Sequence, residues 1–176
     1  MNGVVTMILT GLYETLLMTV ASSLFAYIIG IPLGVILVVT DSDGIRPMPK
    51  LNGILGMIIN LIRSVPFMIL LIMVIPLTRA LVGTSIGPIA VIPPLVIAAA
   101  PYIARMVESS LKEVDAGVIE AAKSMGATDF QIIFKVLLPE SKPSLLVGAA
   151  ISVTTILGYS AMAGFTGGGG LGTIAI

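Results

Sequence analysis

Two of the side chains most used for chemistry are missing from this sequence: it has no histidine and no cysteine. Without imidazole or thiolate there are no ordinary zinc, haem or iron–sulfur ligands, no histidine general base and no disulfide. No Gly-x-x-x-x-Gly-Lys-Ser/Thr stretch occurs, so the chain has no phosphate-cradling loop of its own. Gly167, Gly169 and Gly172 fit a Gly-x-Gly-x-x-Gly spacing, but they follow an apolar run rather than a strand, which argues against a nucleotide site. Nine basic and nine acidic residues cancel, so no global basic field points to nucleic acid. No catalytic or metal-binding set is expected. What remains is a polar group near the end of the chain: Ser152, Thr155, Tyr159, Ser160 and Met162. Their hydroxyls and flexible thioether suit a substrate pathway or gate, although small residues such as Gly148, Ser152 and Thr155 equally suit close helix packing. Arg63 is the other candidate, since an unpaired cation at a membrane-helix centre costs about 2.5–3.5 kcal/mol on insertion scales. It is expected near the inner mouth, snorkelling or facing a second copy.

The elements that hold these residues follow from composition. The 176 residues are 57% apolar and only 10% charged, with a mean hydropathy of +1.13. A soluble domain carries roughly a quarter of its residues as charged groups, so this is a membrane protein. Long uncharged runs predict spans at about 15–40, 55–78, 89–110 and 143–163, separated by a turn-rich connector at 41–50 and a charged loop at 111–142. The run from Thr15 is too long for a signal-peptide core, and Met1 to Tyr13 holds no Lys or Arg. Gly30-Ile-Pro-Leu-Gly34 has the small-xxx-small spacing of close backbone packing. Pro88, Pro93, Pro94 and Pro101 predict that the third helix starts late, near Leu95, or is broken. The glycines from Gly164 to Gly172 predict a turn, because each adds about 1 kcal/mol of helix penalty relative to alanine.

Basic residues orient the chain. Arg46 and Lys50 in the connector, with Arg105, Lys112, Lys123, Lys135 and Lys142 around the long loop, oppose a lone Arg79. Cytoplasmic loops carry such an excess, which puts the amino terminus outside and both charged loops in the cytoplasm. Within the long loop, Asp115 can cap a helix from Ala116 to Met125 that Gly126 ends, and Thr128 with Gln131 forms a capping box for a second helix that Pro139 terminates. Val118, Ile119, Ala122 and Met125 share a face of the first; Phe130, Ile133, Phe134 and Leu137 line the second. The pair resembles a DNA-reading helix-turn-helix in outline, but it carries only Lys123 and Lys135 and is tethered between spans, so a docking element for a protein partner fits better.

Glu120-Ala-Ala122, Gly126 and Val136-Leu-Leu-Pro139, at this spacing, closely resemble the cytoplasmic loop signature of permease subunits of ATP-binding-cassette importers. Asn60-Leu-Ile-Arg63-Ser-Val-Pro66-Phe67, Ile75-Pro-Leu-Thr-Arg79, Gly83-Thr-Ser-Ile-Gly87, Pro101-Tyr-Ile-Ala-Arg105-Met-Val-Glu108 and Gly158-Tyr-Ser-Ala-Met162 extend the resemblance along most of the chain, closest to the methionine permeases of that family. The family usually has Ile where Val136 stands, a volume-conserving swap.

The resemblance implies an all-α, type I importer permease forming a two-fold dimer with a second copy in the cell membrane among lipids. It also implies a separate cytoplasmic ATPase that binds ATP and magnesium, and an extracytoplasmic lipoprotein that delivers methionine. It assigns ATPase coupling to Ala116, Gly117, Val118, Ile119, Glu120, Ala121, Ala122, Met125 and Gly126. Such permeases have five core spans; four are counted here, so the last is expected to be lacking beyond the glycine cluster. The competing reading is a small gated channel without an ATPase. A membrane-embedded enzyme is disfavoured because the only carboxylates expected are loop acids.

Overall fold

A computed structural model describes residues 2–176. The described residues form an all-helical bundle. The first helix, α1 (Asn2–Val39), is followed by α2 (Pro49–Ser64), α3 (Phe67–Met73), α4 (Ile75–Val82) and α5 (Pro88–Lys112). The loop contains α6 (Ala116–Ser124), α7 (Asp129–Ile132), a π turn (Ile133–Leu137) and α8 (Leu138–Glu140), before α9 (Lys142–Met162), a 3-10 turn (Ala163–Thr166) and α10 (Gly170–Ile174). Helices α1, α5 and α9 are long and apolar enough to cross a membrane, and α2 with α3 makes a bent fourth candidate.

The central packing is α1 against α5. Gly30 and Gly34 permit it: a Cβ on Gly30 would lie 2.6 Å from Ile103 Cγ2, and one on Gly34 would lie 2.6 Å from Val107 Cβ. The small-residue spacing therefore works within one chain, letting backbones approach where lipid offers no hydrophobic drive for association. Ala26, Ala100, Ile103, Val107 and Ile156 continue this seam from α1 through α5 to α9.

Four expectations are corrected. The first helix starts at Asn2 rather than Thr15; at about 1.5 Å per residue it reaches about 57 Å, well beyond a hydrocarbon core, and Glu14 lies inside it. The second segment is not one helix, because Pro66 ends α2 at Ser64 and the chain bends by 102° into α3. The third helix neither starts near Leu95 nor breaks: it runs unbroken from Pro88, which occupies the first turn where its missing N–H is harmless. Pro93, Pro94 and Pro101 lie inside it, with Pro94 and Pro101 buried; in lipid the helix is kept because releasing more backbone costs more. Pro139 does not end the loop's second helix either. The wider π turn just before it makes room for a ring that would otherwise press on the carbonyl four residues back.

The glycine cluster does turn the chain. Gly167, Gly169 and Gly170 all have φ between 74° and 78°, a left-handed region where only glycine is unstrained. The Gly87 N–H donates to Gly167 O at 3.0 Å, tying this turn to the start of α5.

Candidate functional site

The loop between α5 and α9 is built by local capping. Asp115 Oδ1 accepts from the Gly117 N–H at 2.7 Å and starts α6. Gly126, at φ 79°, ends it, with its N–H donating to Lys123 O and the Ala127 N–H donating to Ala122 O. The capping box at Thr128 and Gln131 is complete in both directions, at 3.3 and 2.9 Å.

The apolar residues divide between two surfaces. Ala122, Ile132 and Leu137 are buried with Val107 and Leu111, and Ile119 packs partly against the same cluster. Met125 is 81% exposed, Phe130 68% and Phe134 53%, and the two phenylalanine rings lie 4.3 Å apart. Val118 is exposed as well. So the shared face predicted for Val118, Ile119, Ala122 and Met125 is split: Ile119 and Ala122 anchor α6 to its own bundle, while Val118 and Met125 face outward. Ala116, Gly117, Glu120, Ala121 and Gly126 are exposed too. Exposed aromatic and methionine side chains grouped this way mark an interaction surface.

A charged chain holds the loop's root. Arg105 Nη1 donates to Glu108 Oε2 at 2.7 Å and Nη2 to Gly56 O at 3.1 Å. Lys112 Nζ bridges Glu108 Oε1 at 2.9 Å and Asp41 Oδ2 at 2.6 Å. The connector at 41–50 and the loop at 111–142 therefore lie at the same end of the bundle. Lys112 above all, then the Ser42 N–H, holds the Asp41 carboxyl below the ordinary carboxylate range. Asn52 adds a bond from α2 to Leu37 O, capping the end of α1 at 2.6 Å.

The proposed pathway residues on α9 are not gathered into one cavity. Ser152 is buried, donates to Gly148 O at 2.9 Å and lies 3.6 Å from Met106 Sδ. Thr155 and Ser160 also donate to carbonyls of their own helix, so these hydroxyls are engaged in packing. Met162 is exposed. Thr155 lines a shallow groove with Ala150, Ile151 and Thr154, whereas Tyr159 reaches a separate cleft of about 170 Å³, where it meets Arg63, Phe67, Ala98 and Tyr102. Its ring stacks on Phe67 with centroids 4.7 Å apart and 4° between planes. The Arg63 guanidinium sits over the Tyr102 ring at 5.9 Å. This cluster was missed in the sequence; its signal was the Pro66 interruption, because broken helices in membranes line cavities.

A second missed feature lies at the opposite end. Glu14 Oε2 accepts from the Gly170 N–H at 2.6 Å, and Thr15 Oγ1 accepts from the Leu171 N–H at 2.9 Å. Two side chains of α1 thus cap α10. Glu14 also overturns the expectation that carboxylates lie only in loops.

The profile of the family described as "Binding-protein-dependent transport system inner membrane component" matches residues 30–176. The "Probable D-methionine transport system permease protein MetI" of Vibrio cholerae is 49% identical over 170 residues, covering 97% of this chain and 76% of that protein. The "D-methionine transport system permease protein MetI" of Escherichia coli is 51% identical over 158 residues, covering 90% of this chain and 73% of that protein. A solved chain of the inward-facing MetNI methionine ABC transporter superposes with a TM-score of 0.97 at 49% identity, over 99% of this chain and 81% of that chain. A chain of an amino acid ABC transporter, 22% identical with a TM-score of 0.78, shares the fold. A bundle whose backbone matches a transporter chain so closely, with its exposed aromatic loop at one end and a family match over most of its length, belongs to the binding-protein-dependent transport system inner membrane components: it is a multi-pass membrane permease, not an enzyme.

Proposed function

We propose that this permease carries methionine inward as a two-copy assembly, with a cytoplasmic ATPase docked on each copy and an extracytoplasmic lipoprotein delivering the substrate. Support for the cargo comes from relatives about half identical whose names specify D-methionine transport. Support for the docking comes from the exposed patch of Met125, Phe130 and Phe134 beside Glu120 and Ala121, at the end of the bundle where basic residues concentrate. That end is the cytoplasmic one, and the amino terminus lies outside.

ATP and magnesium act on the partner subunit, since the chain has no phosphate loop. Closure of two ATPases moves α6 as a rigid lever about Gly126, and the bundle alternates its opening between the two sides. Ser152, Thr155, Tyr159, Ser160 and Met162 line or gate the pathway in at least one of these states.

The single observation that carries the reading is the split of the loop's apolar residues into an anchored inner face and an outer, exposed face. Reconstituted vesicles containing the permease, its ATPase and the lipoprotein should accumulate labelled methionine only when ATP is supplied. Ion conductance by the permease alone, without ATP-dependent accumulation, would replace the importer by a channel.

A further inference from the structure

Arg63 stands on the rim of the cleft that Tyr159 reaches, its side chain exposed on the chain's own surface, well along α2 from the charged end. It is about 21 Å along α2 from Pro49, and Tyr102 is about 15 Å along α5 from Lys112, at about 1.5 Å rise per residue. Both Pro49 and Lys112 belong to the charged end of the molecule, as the Asp41–Lys112 pair shows. By these helix rises the cleft falls near the middle of a hydrocarbon core of about 30 Å, further in than the inner mouth expected for Arg63. Among the described residues no carboxylate pairs with Arg63, whereas the half-buried Arg105 is held by Glu108 and Gly56. An intramembrane cation without a counter-charge is costly and marks a substrate path by default. Its guanidinium offers a planar fork that matches a carboxylate.

The surrounding chemistry is specific. Tyr102 presents its ring face to the cation side of the cleft, and the stacked Phe67–Tyr159 pair forms an aromatic wall. Aromatic faces attract an ammonium, and ring edges favour a thioether. The cleft forms where Pro66 breaks the second membrane segment, the kind of interruption that lines substrate sites at mid-membrane.

We propose that this cleft is a transit site for a zwitterionic amino acid, in which Arg63 pairs with the substrate carboxylate while Tyr102, Phe67 and Tyr159 receive its ammonium and apolar side chain. The site rests on the reading of the chain as an amino-acid permease and names the residues that would recognise the cargo inside the membrane. The hydroxyls of Ser152, Thr155 and Ser160 are bonded to their own helix in this state, so recognition at this cleft is left to the arginine and the three rings.

The test is equilibrium binding of radiolabelled methionine to the permease–ATPase complex in lipid nanodiscs, without the delivering lipoprotein. Methioninol, in which the carboxylate is replaced by an alcohol, is the competitor. The unaltered complex should prefer methionine over methioninol by about ten-fold or more, the range of a charge-assisted hydrogen-bonded pair. Arg63→Gln should weaken methionine binding by about the same factor and abolish the preference; Arg63→Lys should fall between. Tyr102→Leu should weaken methionine binding, and Tyr102→Phe should restore most of it, because the ring face receives the ammonium. Equal affinity of the unaltered complex for methionine and methioninol would overturn the site, even if the Arg63 variants fail to fold. So would an Arg63→Gln complex that keeps both affinity and preference. Absence of ATP-driven methionine uptake by the unaltered, lipoprotein-supplied system would instead remove the cargo assignment itself, whereas uptake with no preference in the nanodisc assay removes the cleft alone.

Discussion

At the scale of single residues, charge pairs join segments that composition alone leaves separate. Asp41 is held ionised by Lys112, so its folded carboxyl titrates below its unfolded value near 3.9. A depressed carboxyl stabilises the fold above the unfolded value, and that contribution is lost as pH falls through the folded one. The pair is about a third to a half exposed, so solvent screening limits it to less than about 1 kcal/mol. Asp41→Asn should therefore lower the thermal midpoint slightly at pH 7, and the difference from the unaltered protein should shrink progressively as melts are repeated at pH values below about 4. Glu14 plays the equivalent part at the other end. Replacing its carboxylate by an amide in Glu14→Gln weakens a charged hydrogen bond to the Gly170 N–H, a loss of about 1.5 kcal/mol. Amide exchange across 170–174 should then accelerate by about ten-fold, while exchange in the middle of α5 stays unchanged.

At the scale of elements, the decisive contact is between α1 and α5. Gly34 faces the Val107 side chain and the Ala104 carbonyl so closely that any Cβ displaces backbone or a β-branched side chain. Gly34→Val should destabilise the bundle by about 1–3 kcal/mol through overpacking, read as a lower melting temperature in detergent. Gly53→Ala is the matched control, because its side is open space; it should be neutral or slightly stabilising. The helix ends of the loop were legible from sequence because their signals are local: Asp115, Gly126 and the Thr128–Gln131 pair act within a few residues of chain, and each is found as expected. The prolines misled for the converse reason. Whether Pro66 breaks a segment while Pro93, Pro94 and Pro101 do not depends on the packing around each ring, and the same residue type carries no record of that packing.

For the whole molecule, function requires that one end of the bundle meet another protein while the middle passes a solute. The loop's exposed phenylalanines are separable from its anchoring residues, so Phe130→Asp should leave the permease folded and in the membrane. Co-purification of the proposed ATPase with that variant should fall about ten-fold or more, as expected when an exposed aromatic side chain that a partner would bury is replaced by a charge. Retention of the ATPase at the unaltered ratio would show that the docking surface lies elsewhere.

What the sequence alone determined is whatever can be read along one dimension. Uncharged runs required membrane helices, the missing phosphate loop placed any energy source on another polypeptide, and the spacing from Glu120 to Pro139 carried the family. What only the tertiary structure decided is which distant groups meet. Glu14 and Gly170 are 156 residues apart yet share a hydrogen bond. Arg63, Tyr102 and Tyr159 come from three helices yet surround one cleft. Glycines at 30 and 34 draw α1 onto α5, and the bend at Pro66 swings α3 aside; only after both have acted does a lone arginine acquire its aromatic neighbours. Such encounters depend on crossing distances and helix rotations, which follow from the summed packing of the bundle and from no local stretch of residues.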